Sequence, residues 1–328
     1  MVTLKDIARQ CGVSVASVSK AINHMPGVGA KTAQHIRDTA KALGYLPNAA
    51  AQALKTNRSF NIGVLLVDDD QQGLLHNFFV TVLEGFKVKM EDQGYDLMLM
   101  NRTVGKRKIS YLEHCRHSNL DGVFVACINF MDPELLELAS SGVPLVSIDH
   151  TYEGHSSVYS DNVDGVYQAV KYAHSKGHSK IAYISGATAG VTNKRLEGYQ
   201  NAHRDLGLEP NPDYHVYSRY RDIHRTYAAT QQLLALKDPP TCILMPDDYA
   251  SHGGQLAIQN AGLRIPEDIS IIGFDGLDYF KYISPRLSTV AQNAIAIGET
   301  AAELLLKEIN GKEKGIQGQS VKMPVMLI

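Results

Sequence analysis

The 328-residue sequence is 44% apolar and 20% charged, the balance of an ordinary soluble globular protein, and it is long enough for two or three domains. No apolar run approaches the ~20 residues that cross a bilayer, and the opening MVTLKDIARQ lacks the hydrophobic region of an export signal. The four cysteines (Cys11, Cys115, Cys127 and Cys242) form no C-x-x-C pair, which argues against a disulfide framework or zinc site and predicts reduced thiols in the cytoplasm.

The formal charge of −2 conceals an asymmetry. Residues 1–60 carry eight basic and two acidic side chains, +6, which leaves 24 basic and 32 acidic, −8, in the remainder. A small basic head on an acidic body predicts that the head meets a polyanion.

Thr3-Leu4-Lys5-Asp6 is a helix start, a hydroxyl N-cap with a carboxylate three residues on. Leu4, Ile7 and Ala8 share one face before Cys11-Gly12 ends the helix. Ser14 caps a second helix, Val15 to Ile22, with Val18 and Ile22 inward. A third fits Ala30 to Leu43, and Gly44 stops it. Two short helices joined by a glycine turn, with a third behind, predict a helix-turn-helix. In that arrangement the second helix enters the major groove. Val15, Ala16, Ser17 and Lys20 would then face base edges. Ser14, Ser19 and Asn23 would hold phosphates, and Thr3 completes the candidate DNA-facing set. The alternative is a three-helix, protein-binding domain with Lys20 on a solvated face.

NAAAQALKTN (48–57) has helical composition but only one large apolar residue, Leu54. A helix of about ten residues is unstable alone in water. The segment is therefore either an ordinary linker or a helix that forms only against further surfaces.

From Asn61 onward, short apolar runs alternate with amphipathic stretches. The runs are 62–67, 95–100, 121–126, 144–148, 181–185, 241–245 and 269–274, with helices expected near 77–92 and 162–176. Such runs predict parallel strands buried on both faces, too many for one comfortable sheet. The fold class expected is α/β: a three-helix headpiece plus a body of two doubly wound subdomains. Ligands in open parallel sheets sit beyond the C-terminal strand ends. That rule places Asp68-Asp69-Asp70, Asp149, Gly186 to Arg195, Asp247-Asp248 and Asp275 around one cleft, where carboxylates and a guanidinium suit hydroxyl-rich ligands.

VTLKDIARQCGVSVASVSKAIN, then ALGYLPN and AAAQALK, resembles the head of the LacI/GalR family of bacterial transcription regulators, and the similarity runs through essentially the whole chain. The resemblance implies a helix-turn-helix domain over 1–46, a hinge helix and linker over 47–60, and an effector-binding and dimerisation domain over 61–328. That last domain would be periplasmic-binding-protein-like, with an N-subdomain of about 61–161 and 292–320 and a C-subdomain of about 162–291 and 321–328. It implies that Leu54 wedges into the minor groove of a kinked duplex, with Asn48, Ala51 and Lys55 near sugar and phosphate. It also matches Asp149, Arg195 and Asp275 to effector-contacting positions, adds Asp247, sets Tyr220 or Arg221 where relatives present an aromatic residue, and puts Gln292 at the third crossover. The expected function is a repressor that binds a near-palindromic double-stranded DNA operator as a homodimer, controlled by a small sugar-type effector. The alternatives are a purine or a phosphorylated carrier protein as corepressor, or a cytoplasmic sugar-binding protein or enzyme. Arg195, Arg219 and Arg221 together would suit an anionic effector; if Arg219 and Arg221 are surface charges, a neutral one. The chain ends at PVMLI without leucine heptads, which favours a dimer over a tail-linked tetramer.

Enzyme chemistry finds no footing. The first strand leads into VDDDQQG, not G-x-G-x-x-G, and the GATAG after 181–185 lacks the lysine of a phosphate-binding loop. His174 and His178 read as positive charges at a helix end, and His114-Cys115-Arg116-His117 as the polar side of a helix. No catalytic residue, metal site, cofactor or membrane association is expected.

Overall fold

The computed structural model describes residues 2–45, 58–66, 73–187, 190–209, 211–282, 284, 286–311 and 318–328. It divides into two compact units, Met1–Ser59 and Phe60–Ile328.

The first unit contains α1 (Leu4–Cys11), α2 (Val15–Ile22) and α3 (Ala30–Ala42). The Thr3 amide and hydroxyl both donate to Asp6, at 3.0 and 2.6 Å. The hydroxyl bond, then the amide bond, holds the Asp6 carboxyl below its usual range. Gly12, at φ 65°, makes the turn that a side chain would strain. Ile7, Val18 and Ile36 have no exposed surface and meet Ala8, Ala21 and Ala40. Each of the three large side chains contributes about 1.5–3 kcal/mol by burial. That suffices to fix three short helices at one mutual geometry.

The second unit is built on two six-stranded sheets. The first contains β1 (Asn61–Leu66), β2 (Asp96–Leu99), β5 (Gly122–Ala126), β6 (Leu145–Ile148), β7 (Ser156–Ser160) and β13 (Ser320–Met323). Its order is β13-β7-β6-β5-β1-β2, parallel throughout. The second contains β8 (Ile181–Ser185), β9 (His215–Tyr217), β10 (Cys242–Leu244), β11 (Ser270–Asp275), β12 (Ser288–Gln292) and β14 (Val325–Leu327). Its order is β14-β12-β11-β10-β8-β9, and β14 alone runs antiparallel. A two-stranded ribbon, β3 (Thr103–Val104) with β4 (Arg107–Lys108), lies between the helices of the first sheet's chain segment.

The chain passes between the sheets three times: after β7, after β12 and at Pro324. Two expectations shift. Gln292 ends β12 and so stands at the second crossing in chain order, not the third. The last crossing falls after Met323 rather than after residue 320, because Ser320 to Met323 pair with Ser157 to Ser160 and remain in the first sheet.

Each lobe has apolar clusters on both sheet faces. Helices α4 (Asn77–Asp92) and α11 (Ala294–Gly311) bury Val82, Phe86, Ala301 and Leu305 against one face of the first sheet. Glu308 of α11 is a buried carboxylate that ties the starts of β6 and β7 together. It accepts from the amides of Leu145 (3.1 Å) and Ser156 (2.6 Å) and lies 3.3 Å from His155 Nδ1. These bonds outweigh burial, so Glu308 is held below the usual carboxylate range and His155 above the usual imidazole range.

The histidine expectations need correction. His114 and Cys115, in α5 (Tyr111–His117), are buried, because their face packs toward the first sheet; His114 Nδ1 pairs with the Asn101 carbonyl at 2.8 Å. His178 does not serve as a charge at a helix end: burial lowers its pKa, and it pairs with Thr241 at 2.9 Å. Cys11, Cys115 and Cys242 are free thiols. Among the described residues no helix is long and apolar enough to cross a membrane, and no cluster of side chains could hold a metal ion.

Candidate DNA-reading face and effector cleft

On α2, the side chains of Val15, Ala16, Lys20 and Asn23 are exposed, while Ser17 and Ser19 are half-buried. The helix therefore presents two small apolar groups and one cation toward solvent. Both ends are secured from within. Ser14 Oγ accepts from the Ser17 amide at 3.1 Å and lies 2.9 Å from the Ser17 hydroxyl. Asn23 Nδ2 donates to the Ser19 carbonyl at 2.7 Å, and Arg37 of α3 donates to the Ala21 carbonyl at 3.3 Å. Ser14 and Asn23 thus already serve as caps, which orients whatever polar capacity they have left. Thr3 is likewise engaged by Asp6. Asn48, Ala51, Leu54 and Lys55 lie outside the described residues, as do Asp68, Asp69 and Asp70.

In the body, the C-terminal ends of the parallel strands converge on Arg195. It projects from α8 (Gly190–Asp205) and is only 5% exposed. Its Nε donates to Asn162 Oδ1 at 2.8 Å and its Nη1 to the Pro246 carbonyl at 2.9 Å. The guanidinium lies over the Phe274 ring, 3.5 Å from the centroid, and 5.4 Å from the centroid of Tyr220. Burial works against its charge, but Tyr220, Asp275, Tyr183 and Asp149 outweigh that and hold its pKa up.

Two carboxylates face this cation. Asp149 directly follows β6; burial lifts it to about 6, against the pull of Arg195 and an amide bond from Ser160. Asp275 ends β11 and accepts from Gln292 Nε2 at 2.7 Å. Burial, opposed by Arg195 and reinforced by Asp247 and Asp248, raises its pKa well above the ordinary value. The pairing is chemically apt: one cation and two reluctant carboxylates offer both donors and acceptors to a ligand rich in hydroxyls.

Asp247 and Asp248 have different duties. Asp247 caps α10 (Asp248–Asn260) through the Ala250 amide at 2.7 Å, and its other oxygen accepts the Arg221 amide, also at 2.7 Å. Its carboxylate therefore positions the Arg221 loop. Asp248, fully buried and lifted to about 7 chiefly by that burial, accepts from Thr289 and the amides of Gly276 and Leu277. It braces the turn that carries Asp275.

Arg221 spans the cleft. It stands in the second lobe, donates through Nη2 to the Leu75 carbonyl of the first at 2.8 Å, and lies 5.2 Å from the Tyr249 ring centroid. Beside it, burial and then the Arg221 charge push His76 down to about 3, so this imidazole is neutral. Tyr220 packs so tightly on Gly186 that a Cβ there would come within 2.3 Å of the ring, and its hydroxyl lies 2.8 Å from Thr192 Oγ1.

Backbone strain marks the same place. Asp149, Arg221 and Asp275 all have positive φ, at 64°, 56° and 116°. Non-glycine residues rarely hold this conformation unless surrounding structure imposes it, and such residues concentrate at binding sites. Sequence reasoning missed Asn162, Phe274 and His76, while Thr192 falls in the stretch Gly186 to Arg195 that it placed at the cleft. Asn162 follows β7, whose sequence SSVYS is too polar to read as a strand; the aspartate cap before it was the available signal.

The family described as "Bacterial regulatory proteins, lacI family" matches residues 3–48, and "Periplasmic binding protein-like domain" matches 170–328. The chain is 33% identical over 319 residues to the HTH-type transcriptional repressor PurR of Pasteurella multocida, covering 96% of this chain and 94% of that one. The lac repressor dimer bound to operator and the anti-inducer ONPF has the same fold: TM-score 0.82 at 24% identity, covering 100% and 97% of the two chains. A LacI family transcriptional regulator from Enterococcus faecium with bound ribose aligns with TM-score 0.68 at 28% identity, covering 82% and 96%. The chain therefore belongs to the lacI family of bacterial regulatory proteins and is a helix-turn-helix, DNA-binding transcription repressor under effector control.

Proposed function

We propose that this repressor acts as a homodimer on a near-palindromic operator and is governed by a neutral, carbohydrate-type effector held around Arg195. The observation that carries the reading is the buried guanidinium of Arg195, flanked by Asp149, Asp275 and Gln292 at strand ends of both lobes. The charge of Arg195 is already met by Asp149 and Asp275, so the centre offers a neutral ligand donors and acceptors without asking it to supply a charge. A polyol can accept from Arg195 while donating to both acids. Arg221, which ties itself to Leu75, supplies a contact that depends on the mutual position of the lobes. An effector with different affinity for two lobe arrangements shifts their populations. That shift would alter how two copies of Leu54 meet over a flexible central base step, with Asn48, Ala51 and Lys55 on the backbone beside it. Thr3, Ser14, Ser19 and Asn23 would fix the head on phosphates, and Val15, Ala16, Ser17 and Lys20 would read the half-site.

A purine corepressor is the second reading. It draws support from the half-buried Tyr220 ring beside Arg195, a surface suited to a planar base. The deciding experiment is a mobility shift of the promoter region adjoining the gene, with sugars and nucleobases added in turn. Release by a sugar supports the first reading; tightening by a nucleobase supports the second. Leu54→Ala in the same assay should weaken specific binding far more than non-specific binding. Equal losses would remove the wedge from the mechanism.

A further inference from the structure

The last four carbonyls of a helix have no partner within it and must find one outside. In α2 the Ser19 carbonyl accepts from the Asn23 amide at 3.1 Å and from Asn23 Nδ2 at 2.7 Å, and the Lys20 carbonyl accepts from the Met25 amide at 2.8 Å. The Ala21 carbonyl meets the His24 amide at a long 3.4 Å, and a residue of α3 completes it: Arg37 Nη1 donates to it at 3.3 Å. A cation at this end also complements the negative pole of the α2 dipole.

The guanidinium is aimed by its own helix. Arg37 Nη2 donates to Gln34 Oε1 at 2.8 Å, and Gln34 Nε2 in turn donates to Asp38 Oδ1 at 2.9 Å. Residues three and four apart share one face of a helix, so these three side chains form a short relay along α3 that ends on α2. Arg37 is half-buried, whereas Lys31 and Lys41 of the same helix are exposed.

The apolar footing of α2 shows what this bond adds. The helix has eight residues and buries only Val18 and Ala21 completely, against Ile36 and Ala40 of α3 among others. Apolar contact is non-directional and leaves a short helix free to roll about so small a footing. A hydrogen bond to the end of the helix is directional and stops that roll. Lys20, exposed and assigned above to base edges, directly precedes Ala21.

We infer that Arg37 is a positioning residue for operator recognition: it makes no contact with DNA, and by holding the last turn of α2 it fixes the direction in which Lys20 meets the groove. The inference rests on the reading of α2 as the groove-facing helix. It adds a residue of α3 to those that determine base choice.

The test uses the full-length protein and two duplexes of equal length: the sequence that the unaltered protein enriches from a randomised pool, and a scrambled version of it. Affinity for both is read by fluorescence anisotropy between about 50 and 200 mM salt. Arg37→Met should lose about tenfold on the enriched duplex and less than about twofold on the scrambled one, with the salt slope unchanged. Gln34→Leu keeps the cation but no longer aims it, and should show a smaller loss of the same kind; it carries the test if thermal melts show that Arg37→Met unfolds the head. In a Lys20→Ala background, Arg37→Met should cost less than about threefold, because the side chain it directs is gone. Equal losses on the two duplexes, with a salt slope shallower by about one, would make Arg37 a phosphate contact and overturn the inference. So would the absence of loss in both variants, or a loss that is undiminished in the Lys20→Ala background. If no sequence is enriched, the reading of α2 falls, and the inference with it.

Discussion

Replacing Arg195 by Met isolates the charge at the centre of the cleft while retaining most of the side chain's volume. The substitution removes two charge-assisted hydrogen bonds, to Asn162 Oδ1 and the Pro246 carbonyl, and the stacking on Phe274. It also leaves Asp149 and Asp275 without the cation that lowers the pKa of each. Each charged hydrogen bond is worth about 1.5–3 kcal/mol, and breaking a buried ionic group by removing one partner costs about 3–5 kcal/mol in all. The second figure already contains part of the first, so a total of about 3–5 kcal/mol is expected at pH 8. The cost must depend on pH. In the native protein Asp149 titrates at about 6 and Asp275 above its ordinary value, and without Arg195 both rise further. As pH falls from 8 to 5 Asp149 takes up a proton, the lost attraction matters less, and the penalty should shrink to about 1–2 kcal/mol. Urea unfolding of the purified protein, followed by circular dichroism at both pH values, measures this directly. A penalty below about 1 kcal/mol at pH 8, or one of the same size at both, would show that Arg195 does not hold these carboxylates.

Effector affinity should fall as pH drops below 6, approaching tenfold per pH unit, because a hydroxyl donor needs the ionised form of Asp149, which titrates at about 6; calorimetry between pH 5 and 8 checks this, and a flat profile contradicts it. Lys20→Ala should relax base choice at one position of the half-site at a cost of about 1–3 kcal/mol, as read by competition among operator variants. Loss spread evenly over all sequences would make Lys20 a phosphate contact. Glu308→Ala strands the Leu145 and Ser156 amides and His155, and should lower stability by about 3–5 kcal/mol at pH 6. His155 has a raised folded pKa, so its share of that stability is complete below its unfolded value near 6.5 and is lost as pH rises through the folded one. The Glu308→Ala penalty measured by thermal melts should therefore be smaller at pH 9 than at pH 6.

The sequence by itself determined the elements whose signal is local. The helices of the head follow from caps and spacing: Thr3 with Asp6, Gly12 at its turn, Ser14 before Val15, all of which act within four residues. The central strands follow from runs such as IGVLL and GVFVA, because a strand covered on both faces must be apolar at every position. Asp149 and Asp275 were placed at the cleft because each stands at the end of such a run. Tertiary structure decided the rest. SSVYS is a buried strand although four of its five residues carry hydroxyls, because Glu308, distant in sequence, accepts the Ser156 amide, and Ser157 meets Ser320. The last crossing waits until Pro324 because Ser320 to Met323 find an open edge at β7, a partner over 150 residues away. Asp247 and Asp248 are adjacent in the chain, yet one anchors the Arg221 loop and the other braces the turn before Asp278. A carboxylate's role is set by which amides reach it, and that depends on how distant strands and loops are brought together in space.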